Sequence, residues 1–348
     1  MAKVAFLGPK GSFTHQVSLR NEGKIHSQCC CCTPWQSPTS KPRRIMSIAD
    51  PDTKAALKHF STSEYTLSVQ PTFEDIFLSI QSNSTEYGIV PIENSSNGPV
   101  TQTLNLLGDR KGRFADLQVT GEVYLPVEHY LLGHAPKDSP PSDQDDTRQG
   151  EPLYDLSHLS LVESHPQALG QCKAFLSKYC KDIKRRDTSS TSQAAENAKT
   201  DSTGKTAAIA SKLCADITGL TILAAAMQDD SRNTTRFIIL QRMADVPDES
   251  PRNAETGGYK TLVVFTVSHE EPGSLAKALA VFSKHDISLT GMHTAPLGEG
   301  MWQYSFFVEF HGRREGTGSG KVERALFELE DAVRWVRWLG SWKDGGEQ

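Results

Sequence analysis

Three polar segments combine hydroxyl, amide or charged side chains with the predicted start of a helix. Glu93-Asn94-Ser95 follows the apolar run Gly88–Ile92, and Ser164-His165-Pro166-Gln167 follows Leu159–Val162. Ser190-Thr191 precedes a third helical pattern. The first turn of a helix has backbone N–H groups without intrahelical partners and favours negative charge. These segments therefore predict a site for an anion, either a carboxylate or a phosphate.

Strands that alternate with helices must position these segments. Pro166 suits a first helical position with Ser164 or His165 at the cap, and Ser190 to Gln193 has the spacing of a capping box. The alternation predicts mostly parallel α/β sheets, in which ligands lie beyond the carboxyl ends of the strands. Ser190 and Thr191 are therefore expected to be helix caps first, and contacts to a ligand second.

The last 90 residues have a pattern of their own, which follows a charged Pro/Gly linker at residues 244–258. It predicts strands and helices at Thr261–Val267, Gly273–Phe282, Ile287–Leu289, Gln303–Val308, Val322–Leu329 and from Val333 onward. The order βαββαβ is that of a ferredoxin-like unit.

Composition and charge exclude several classes of protein. The 348 residues contain 37 Lys and Arg against 42 Asp and Glu, and a formal charge of −5 argues against nucleic acid as the main partner. We find no transmembrane helix, secretory signal or transit peptide in the sequence, so we expect a cytoplasmic protein with no membrane partner.

The seven cysteines include four consecutive ones, Cys29 to Cys32. An odd number without a secretory signal argues against a disulfide framework, and no second Cys/His pair at ligand spacing completes a zinc site. We therefore interpret residues 23–52 as a Cys-rich surface insertion without metal. Gly8-x-x-Gly11 is neither a dinucleotide-binding nor a Walker motif, so we expect no cofactor.

Several blocks, in this order, resemble the prephenate dehydratase family, and the tail resembles an ACT domain, a module that senses amino acids. The blocks are Gly8-Pro-Lys-Gly-Ser-Phe-Thr14, Val90-Pro-Ile-Glu-Asn-Ser95, Ser164-His-Pro-Gln-Ala-Leu169, Ser190-Thr191, Ala207-Ala-Ile-Ala-Ser211 and Asn233-Thr-Thr-Arg-Phe237. Each block alone is a weak signal, whereas their shared order over nearly the whole chain is specific.

The resemblance implies an α/β fold of two doubly wound lobes with a cleft, like that of periplasmic binding proteins, plus the ferredoxin-like ACT domain. The catalytic part would be residues 1–243, with lobe one at about 1–112 and 212–243 and lobe two at about 113–211. The ACT domain would be residues 259–348. It would assemble the chain into a homodimer or homotetramer, with Tyr304–Phe310 as a pairing surface.

The implied reaction is the loss of water and carbon dioxide from prephenate, a dianion, to give phenylpyruvate. The family places Thr235 at the leaving hydroxyl, as a hydrogen-bond donor. Glu93 is either a proton donor, since a bound dianion would raise its pKa, or a cap of the following helix. No metal or cofactor is implied.

The remaining candidates would bind substrate. Arg236 either binds a carboxylate or forms a structural ion pair, for example with Asp229 or Asp230. Strand alternation directs Thr235 and Arg236 to opposite faces, and Phe237 shares the face of Thr235 or belongs to the core. The other expected contacts are Ser12, Phe13, Asn94, Ser95, Ser164, His165, Gln167, Ser190 and Thr191.

The tail differs from the family at one of its two phenylalanine-binding blocks. Pro272-Gly273-Ser274-Leu275 is similar to the first block, the GALV turn. His293-Thr294-Ala295-Pro296 stands at the second, the ESRP loop, so both charged residues are replaced and only the proline remains. We therefore expect L-phenylalanine to bind weakly as an effector.

Two other functions are consistent with the same residues. One is an arogenate dehydratase, which would act on the amino analogue of prephenate. The other is a non-catalytic sensor of amino acids or carboxylates, since two-lobed clefts and ACT modules both serve as binding devices. Thr235-Arg236-Phe237 together with Glu93-Asn94-Ser95 favours an enzyme.

Overall fold

The computed structural model describes residues 2–7, 51–61, 64–136, 149–245, 258–268, 270–296, 303–315 and 318–345. Ser12, Phe13, Cys29 to Cys32 and most of the linker lie outside these ranges. The described residues form two compact units. The first takes them from Met1–Leu7, Lys58–Leu125 and Thr234–Gln348, and the second from Gly8–Leu57 and Pro126–Asn233.

Fifteen strands and nine helices are defined within the described ranges. The strands are β1 Ala2–Leu7, β2 Tyr65–Gln70, β3 Tyr87–Asn94, β4 Gly98–Pro99, β5 Leu117–Pro126, β6 Tyr130–Gly133, β7 Leu161–Ser164, β8 Lys184–Asp187, β9 Thr206–Ala210, β10 Thr221–Ala224, β11 Thr234–Arg242, β12 Tyr259–Thr266, β13 Leu289–Pro296, β14 Tyr304–His311 and β15 Trp335–Lys343. The helices are α1 Pro51–His59, α2 Phe73–Gln81, α3 Thr101–Leu107, α4 Pro166–Gly170, α5 Lys173–Tyr179, α6 Thr191–Thr200, α7 Lys212–Thr218, α8 Ser274–Lys284 and α9 Lys321–Ala332. None of these helices has the length and apolar character to cross a membrane.

The first unit contains a sheet in the order β2-β1-β3-β11-β5, with β4 paired to β3. β1 is parallel to both β2 and β3, whereas β11 runs antiparallel to β3. The sheet is therefore mixed, and the prediction of a mostly parallel sheet is wrong for this unit. Helix α2 begins at the cap Thr72, whose side chain accepts the backbone N–H of Asp75, and it buries Ile76, Phe77 and Ile80 in the core of this unit.

The second unit contains a mixed sheet in the order β10-β6-β9-β7-β8. Small side chains allow α6 to pack closely on it, because Ala194, Ala195 and Ala198 share a core with Ala208 and Ala210 of β9. The predicted lobe boundaries at 112 and 212 need correction. They move to 125/126 and 233/234, because β5 completes the first sheet while α7 and β10 belong to the second unit.

The C-terminal sheet has the order β13-β14-β12-β15 with every pairing antiparallel, so the predicted βαββαβ unit is confirmed. Strand β13 continues to Pro296, and His293–Pro296 is therefore a strand segment rather than a loop. Because β14 pairs with a neighbour on each side, the prediction that Tyr304–Phe310 offers a pairing edge is wrong. The edge strands are β13 and β15.

The central strand β12 of the C-terminal sheet is buried on both faces. Alternate residues of β12 point to opposite faces. Val263 and Phe265 join a core with residues of α8 and α9, whereas Leu262 and Val264 join the core that contains Leu104 of α3. The C-terminal sheet is thus layered between its own helices and elements of the first sheet's layer.

Strand β15 passes very close to β5 at Gly340. This glycine has a φ of 143°, a conformation that L side chains rarely adopt, and a Cβ built on it would collide with the backbone carbonyl of Val119. A side chain could rotate away, but a backbone carbonyl inside a paired strand cannot. The glycine therefore permits the contact between the two sheets.

We expect Gly340→Ala to lower the free energy of unfolding by about 2–5 kcal/mol, from the combined cost of backbone strain and overpacking. Gly291→Ala in β13 is the matched control, because its Cβ would meet only ordinary contacts, the nearest at 3.9 Å from Glu309 Cβ. Urea denaturation of the full chain measures both variants. Equal stability of the two would contradict the assigned packing of β15 on β5.

Candidate active site

The pairing of β3 with β11 brings two of the predicted blocks together. Asn94 lies opposite Thr235 and Glu93 opposite Arg236, although Asn94 and Thr235 are 141 positions apart in the chain. The side-chain amide of Asn94 donates to Thr235 Oγ1 over 3.0 Å. Because the threonine oxygen accepts this bond, its own proton points elsewhere and can be donated to a ligand.

The turn after β3 is held by hydrogen bonds from both strands. Asn94 Oδ1 accepts the backbone N–H groups of Ser96 at 3.1 Å and Asn97 at 2.9 Å. Ser95 exchanges two bonds with Thr234, since its N–H donates to the Thr234 carbonyl and its Oγ accepts the Thr234 N–H, each over 2.9 Å. The amide of Asn94 is therefore held in a fixed orientation toward Thr235.

Glu93 is half-buried, and it pairs with a side chain of the C-terminal sheet. His293 Nε2 of β13 lies 3.5 Å from Glu93 Oε2. The hydrogen bond from His293 lowers the pKa of Glu93, burial opposes this, and the charges of His293 and Arg236 add to the lowering. These neighbours favour the carboxylate, against the increase expected beside a bound dianion. Glu93 also does not cap α3, whose N-cap is Val100 without a side-chain bond.

Arg236 is an ion-pair residue in this fold, and its side chain is only 13% exposed. Its Nε donates to Glu122 over 2.8 Å and its Nη2 to Glu309 over 2.6 Å. Burial lowers the pKa of Arg236, but the charges of Glu309 and Glu122 raise it by more. The structure thus favours the ion-pair alternative, with partners on β5 and β14 instead of Asp229 or Asp230.

The two aspartates proposed as partners of Arg236 have other contacts. Asp229 accepts the backbone N–H groups of Lys173 and Ala174 at the start of α5, each over 3.0 Å. Asp230 pairs with the exposed Arg232 at 3.5 Å. Phe237 is 1% exposed and belongs to the core, which is the structural alternative for that residue.

The cluster around Arg236 extends through residues that sequence reasoning missed. Lys260 Nζ lies 3.2 Å from Glu122 Oε1 and 2.7 Å from Asp344 Oδ1, and Thr290 donates to Glu309 over 2.9 Å. The sequence does carry a signal for this cluster, namely a single charged residue within an otherwise apolar strand, such as Glu309 in β14. A lone buried carboxylate is costly, so each required a cationic partner.

In the second unit, the serine and histidine before α4 already have backbone partners. Ser164 is buried and donates its hydroxyl to the Ile209 carbonyl over 2.6 Å. The hydroxyl proton of Ser164 is therefore engaged by the backbone, whereas the sequence predicts a contact between Ser164 and the substrate. His165 is the N-cap, with Nδ1 accepting the Gln167 N–H at 3.3 Å, while the side chain of Gln167 is exposed. Helix α4 ends at Gly170, and α5 begins at Lys173 with Cys172 as its N-cap.

The predicted cap of α6 is confirmed, since Ser190 Oγ accepts the N–H of Gln193 over 3.1 Å and Thr191 is the first helical residue.

Sequence reasoning missed Glu163, which precedes Ser164 and is fully buried. Its carboxylate pairs with Arg186 and accepts a bond from the amide of Asn197 over 2.7 Å. This pairing anchors the end of β7 to β8 and α6.

The predicted effector residues lie in two elements of the C-terminal sheet layer. Gly273 has a φ of 81° and is the N-cap of α8, Ser274 donates to the Glu271 carbonyl, and Leu275 packs against the core. His293 and Pro296 lie in β13. Among the described residues, no three His, Cys, Asp or Glu side chains are grouped as metal ligands.

Comparisons with known proteins agree on one family. The family model described as prephenate dehydratase matches residues 52–245. The bifunctional chorismate mutase/prephenate dehydratase of Aquifex aeolicus is 31% identical over 340 residues, 98% of this chain and 73% of that protein. Arogenate dehydratase 1 of Petunia hybrida is 31% identical over 285 residues, 78% of this chain and 59% of that protein.

A solved structure has the same fold. The prephenate dehydratase of Arthrobacter aurescens, in complex with L-Phe, superposes with a TM-score of 0.70 at 22% identity, and the match covers 100% of this chain and 92% of that one.

We expect Arg236→Met to lower the free energy of unfolding by about 3–5 kcal/mol, because it leaves two buried carboxylates without their shared cation. Arg232→Met is the matched control, since Arg232 is 91% exposed and its pair with Asp230 lies at the surface, and it should cost less than about 1 kcal/mol. Urea denaturation of both variants checks this. A similarly small loss in both would show that Arg236 is not part of a structural ion pair.

Proposed function

The chain belongs to the prephenate dehydratase family, and we propose that it converts prephenate to phenylpyruvate at a site built around Thr235, Asn94 and Glu93. The observation that carries this proposal is the 3.0 Å bond from Asn94 to Thr235 Oγ1, which orients the hydroxyl as a donor. An oriented donor is what departure of a ring hydroxyl requires.

The reaction balances without an oxidant, reductant or cofactor. The bond from the ring to its carboxylate breaks, carbon dioxide leaves, and the electron pair enters the ring. The para carbon–oxygen bond then breaks, and the departing hydroxide leaves as water once it has taken one proton. Because the ring becomes aromatic, the protein needs mainly to hold the dianion in place and to stabilise charge on the leaving oxygen. Thr235 would do the latter by hydrogen bonding.

Glu93 is our proposed source of the proton. Two negative charges of the substrate nearby would favour its protonated form, whereas His293 and Arg236 favour its carboxylate. The balance between these effects would set the pH range in which Glu93 carries a proton to give. After product release, water would return the proton to Glu93.

The substrate's carboxylates would be bound by the other polar side chains that the resemblance implies. Asn94, Ser95, His165, Gln167, Ser190 and Thr191 are the proposed contacts. Ser12 and Phe13 remain predictions outside the described residues. The proposed contacts do not include Ser164, Arg236 or Phe237, because the first two have protein partners and the third lies in the core.

Regulation and assembly are proposals of the same kind. We propose L-phenylalanine as an effector at the C-terminal domain, bound near Gly273 and His293, and a homodimer or homotetramer formed through these domains. Edge strand β13 supports the second proposal, because Leu289 and Met292 are large apolar residues that are 40% and 47% exposed there. A cytoplasmic location stays a prediction.

We expect Thr235→Val to lower kcat by about 10²–10³-fold, the usual effect of losing one donor at a developing negative charge. Thr235→Ser retains the hydroxyl and should stay within about tenfold of wild type. Phenylpyruvate formation, followed by its ultraviolet absorbance, measures both, and circular dichroism checks the fold. If Thr235→Val acted as fast as wild type, Thr235 would have no part in the chemistry, and a raised KM alone would make it a binding residue.

The same assay separates the alternative functions. Arogenate as substrate would give phenylalanine instead of phenylpyruvate, so the ratio of kcat/KM for the two substrates decides between them. A non-catalytic sensor would turn over neither. Exhaustive dialysis against a chelator should leave the rate unchanged, and a rate restored only by added metal would contradict the mechanism without metal.

We expect L-phenylalanine to inhibit the enzyme only weakly, because neither charged residue of the usual effector loop is present at His293 to Pro296. Titration of L-phenylalanine against activity, and against sedimentation velocity of the full chain, measures inhibition and assembly together. Tight, cooperative inhibition would show that those charges are unimportant. No binding at all would leave the domain with an assembly role only.

A further inference from the structure

We propose that His293 is a positioning residue for Glu93, so that strand β13 of the C-terminal domain holds a proposed catalytic carboxylate in place. This inference rests on the proposed function, because it assigns a role in the reaction to the residue that contacts Glu93. The contact joins Nε2 of His293 to Oε2 of Glu93 at 3.5 Å, with the two side chains 22% and 35% exposed.

The two residues meet because of packing that fixes both backbones. Glu93 lies in the last part of β3, paired with Arg236 of β11 on one side and Pro99 of β4 on the other. His293 is paired with Phe307 of β14, and its strand neighbour Ala295 is buried in one core with residues of α3. The separation of the two strands is thus set by buried apolar contacts rather than by the polar pair itself.

Among the described residues, His293 and Arg236 are the basic side chains that act on Glu93. Arg236 contributes from β11, but its guanidinium already binds Glu122 and Glu309. Strand β4 is Gly98–Pro99 and α3 is Thr101–Leu107, and neither contains a titratable side chain. On β13 itself, Thr290 donates to Glu309 rather than to Glu93.

An imidazole 3.5 Å from a carboxylate has two effects on it. It restricts the rotation of the Glu93 side chain, and when protonated it stabilises the anion by its charge. The loss of His293 should therefore change the pKa of Glu93 in one direction. The pKa of Glu93 rises, and any limb of the pH–rate profile that reports Glu93 moves to higher pH. This holds whether the active form of Glu93 is the acid or the carboxylate, because either limb follows the same pKa.

The test compares His293→Leu, His293→Gln and the control His285→Leu in the full chain. His285 is the matched control because it forms the same type of pair, Nε2 to Glu328 Oε2 at 2.9 Å, elsewhere in the C-terminal domain. We expect His293→Leu to lower kcat by about 10–100-fold, as misplacement of a reacting group does, and to move the limb by about one pH unit. His293→Gln keeps a donor without the charge and should restore part of kcat.

A second measurement reads the contact without activity. Carbon-13 labelled glutamate carboxyls are titrated by NMR, and Glu93→Gln identifies the Glu93 signal by its absence. We expect His293→Leu to raise the pKa of Glu93, and His285→Leu to leave it unchanged. An unchanged pKa of Glu93 in His293→Leu, or equal kinetic losses in the two leucine variants, would overturn the inference.

The kinetics also separate this inference from the proposed function. In a Glu93→Gln background, His293→Leu should have no further effect on kcat, because it acts through Glu93. An additional loss of similar size in that background would overturn the positioning role. If the wild-type chain turned over neither prephenate nor arogenate, the proposed function would fail, while the NMR titration would still decide whether His293 controls Glu93.

Discussion

The antiparallel return of β11 along β3 is the interaction on which the rest of the first unit depends. More than a hundred residues separate the two strands in the chain, so their pairing has a cost in chain entropy. The pairing therefore depends on the long run of paired apolar residues in both strands. In return, it sets Asn94 beside Thr235 and fills the sheet between β3 and β5. The bonds of Asn94 with Thr235 and of Ser95 with Thr234 depend on this register, because a shift by one residue would turn Thr235 away from Asn94.

Strand β11 also connects the candidate site to the C-terminal domain. Thr235 faces Asn94, while the next residue, Arg236, forms buried ion pairs with Glu122 of β5 and Glu309 of β14. Burying these charges is unfavourable unless every partner is present, so the cluster contributes specificity of arrangement more than stability. It requires β5, β11 and β14 to keep one relative position, and that position also determines where β13 lies.

The C-terminal domain is therefore part of the structural support of the first unit. Its sheet shares one core with α3 and β5, and Gly340 allows β15 to approach β5 to a distance that no side chain would permit. On our proposal, the His293 contact extends this support to Glu93. A ligand or partner chain that displaced edge strand β13 would then act on the reacting carboxylate through a single side-chain contact, without any rearrangement of the core.

The sequence by itself determined the elements and the family. Local signals predicted the cap at Ser190, the helix start at Pro166 and the βαββαβ tail, because caps and hydrophobic periodicity depend on near neighbours. Ordered motifs predicted that Glu93-Asn94-Ser95 and Thr235 belong to one site. Only the tertiary structure decided that Arg236 pairs with Glu122 and Glu309. It also decided that Ser164 donates its hydroxyl to the Ile209 carbonyl, and that His293 contacts Glu93. Those contacts join residues that are far apart in the chain, and their geometry is set by strand register and sheet packing, which no local pattern encodes.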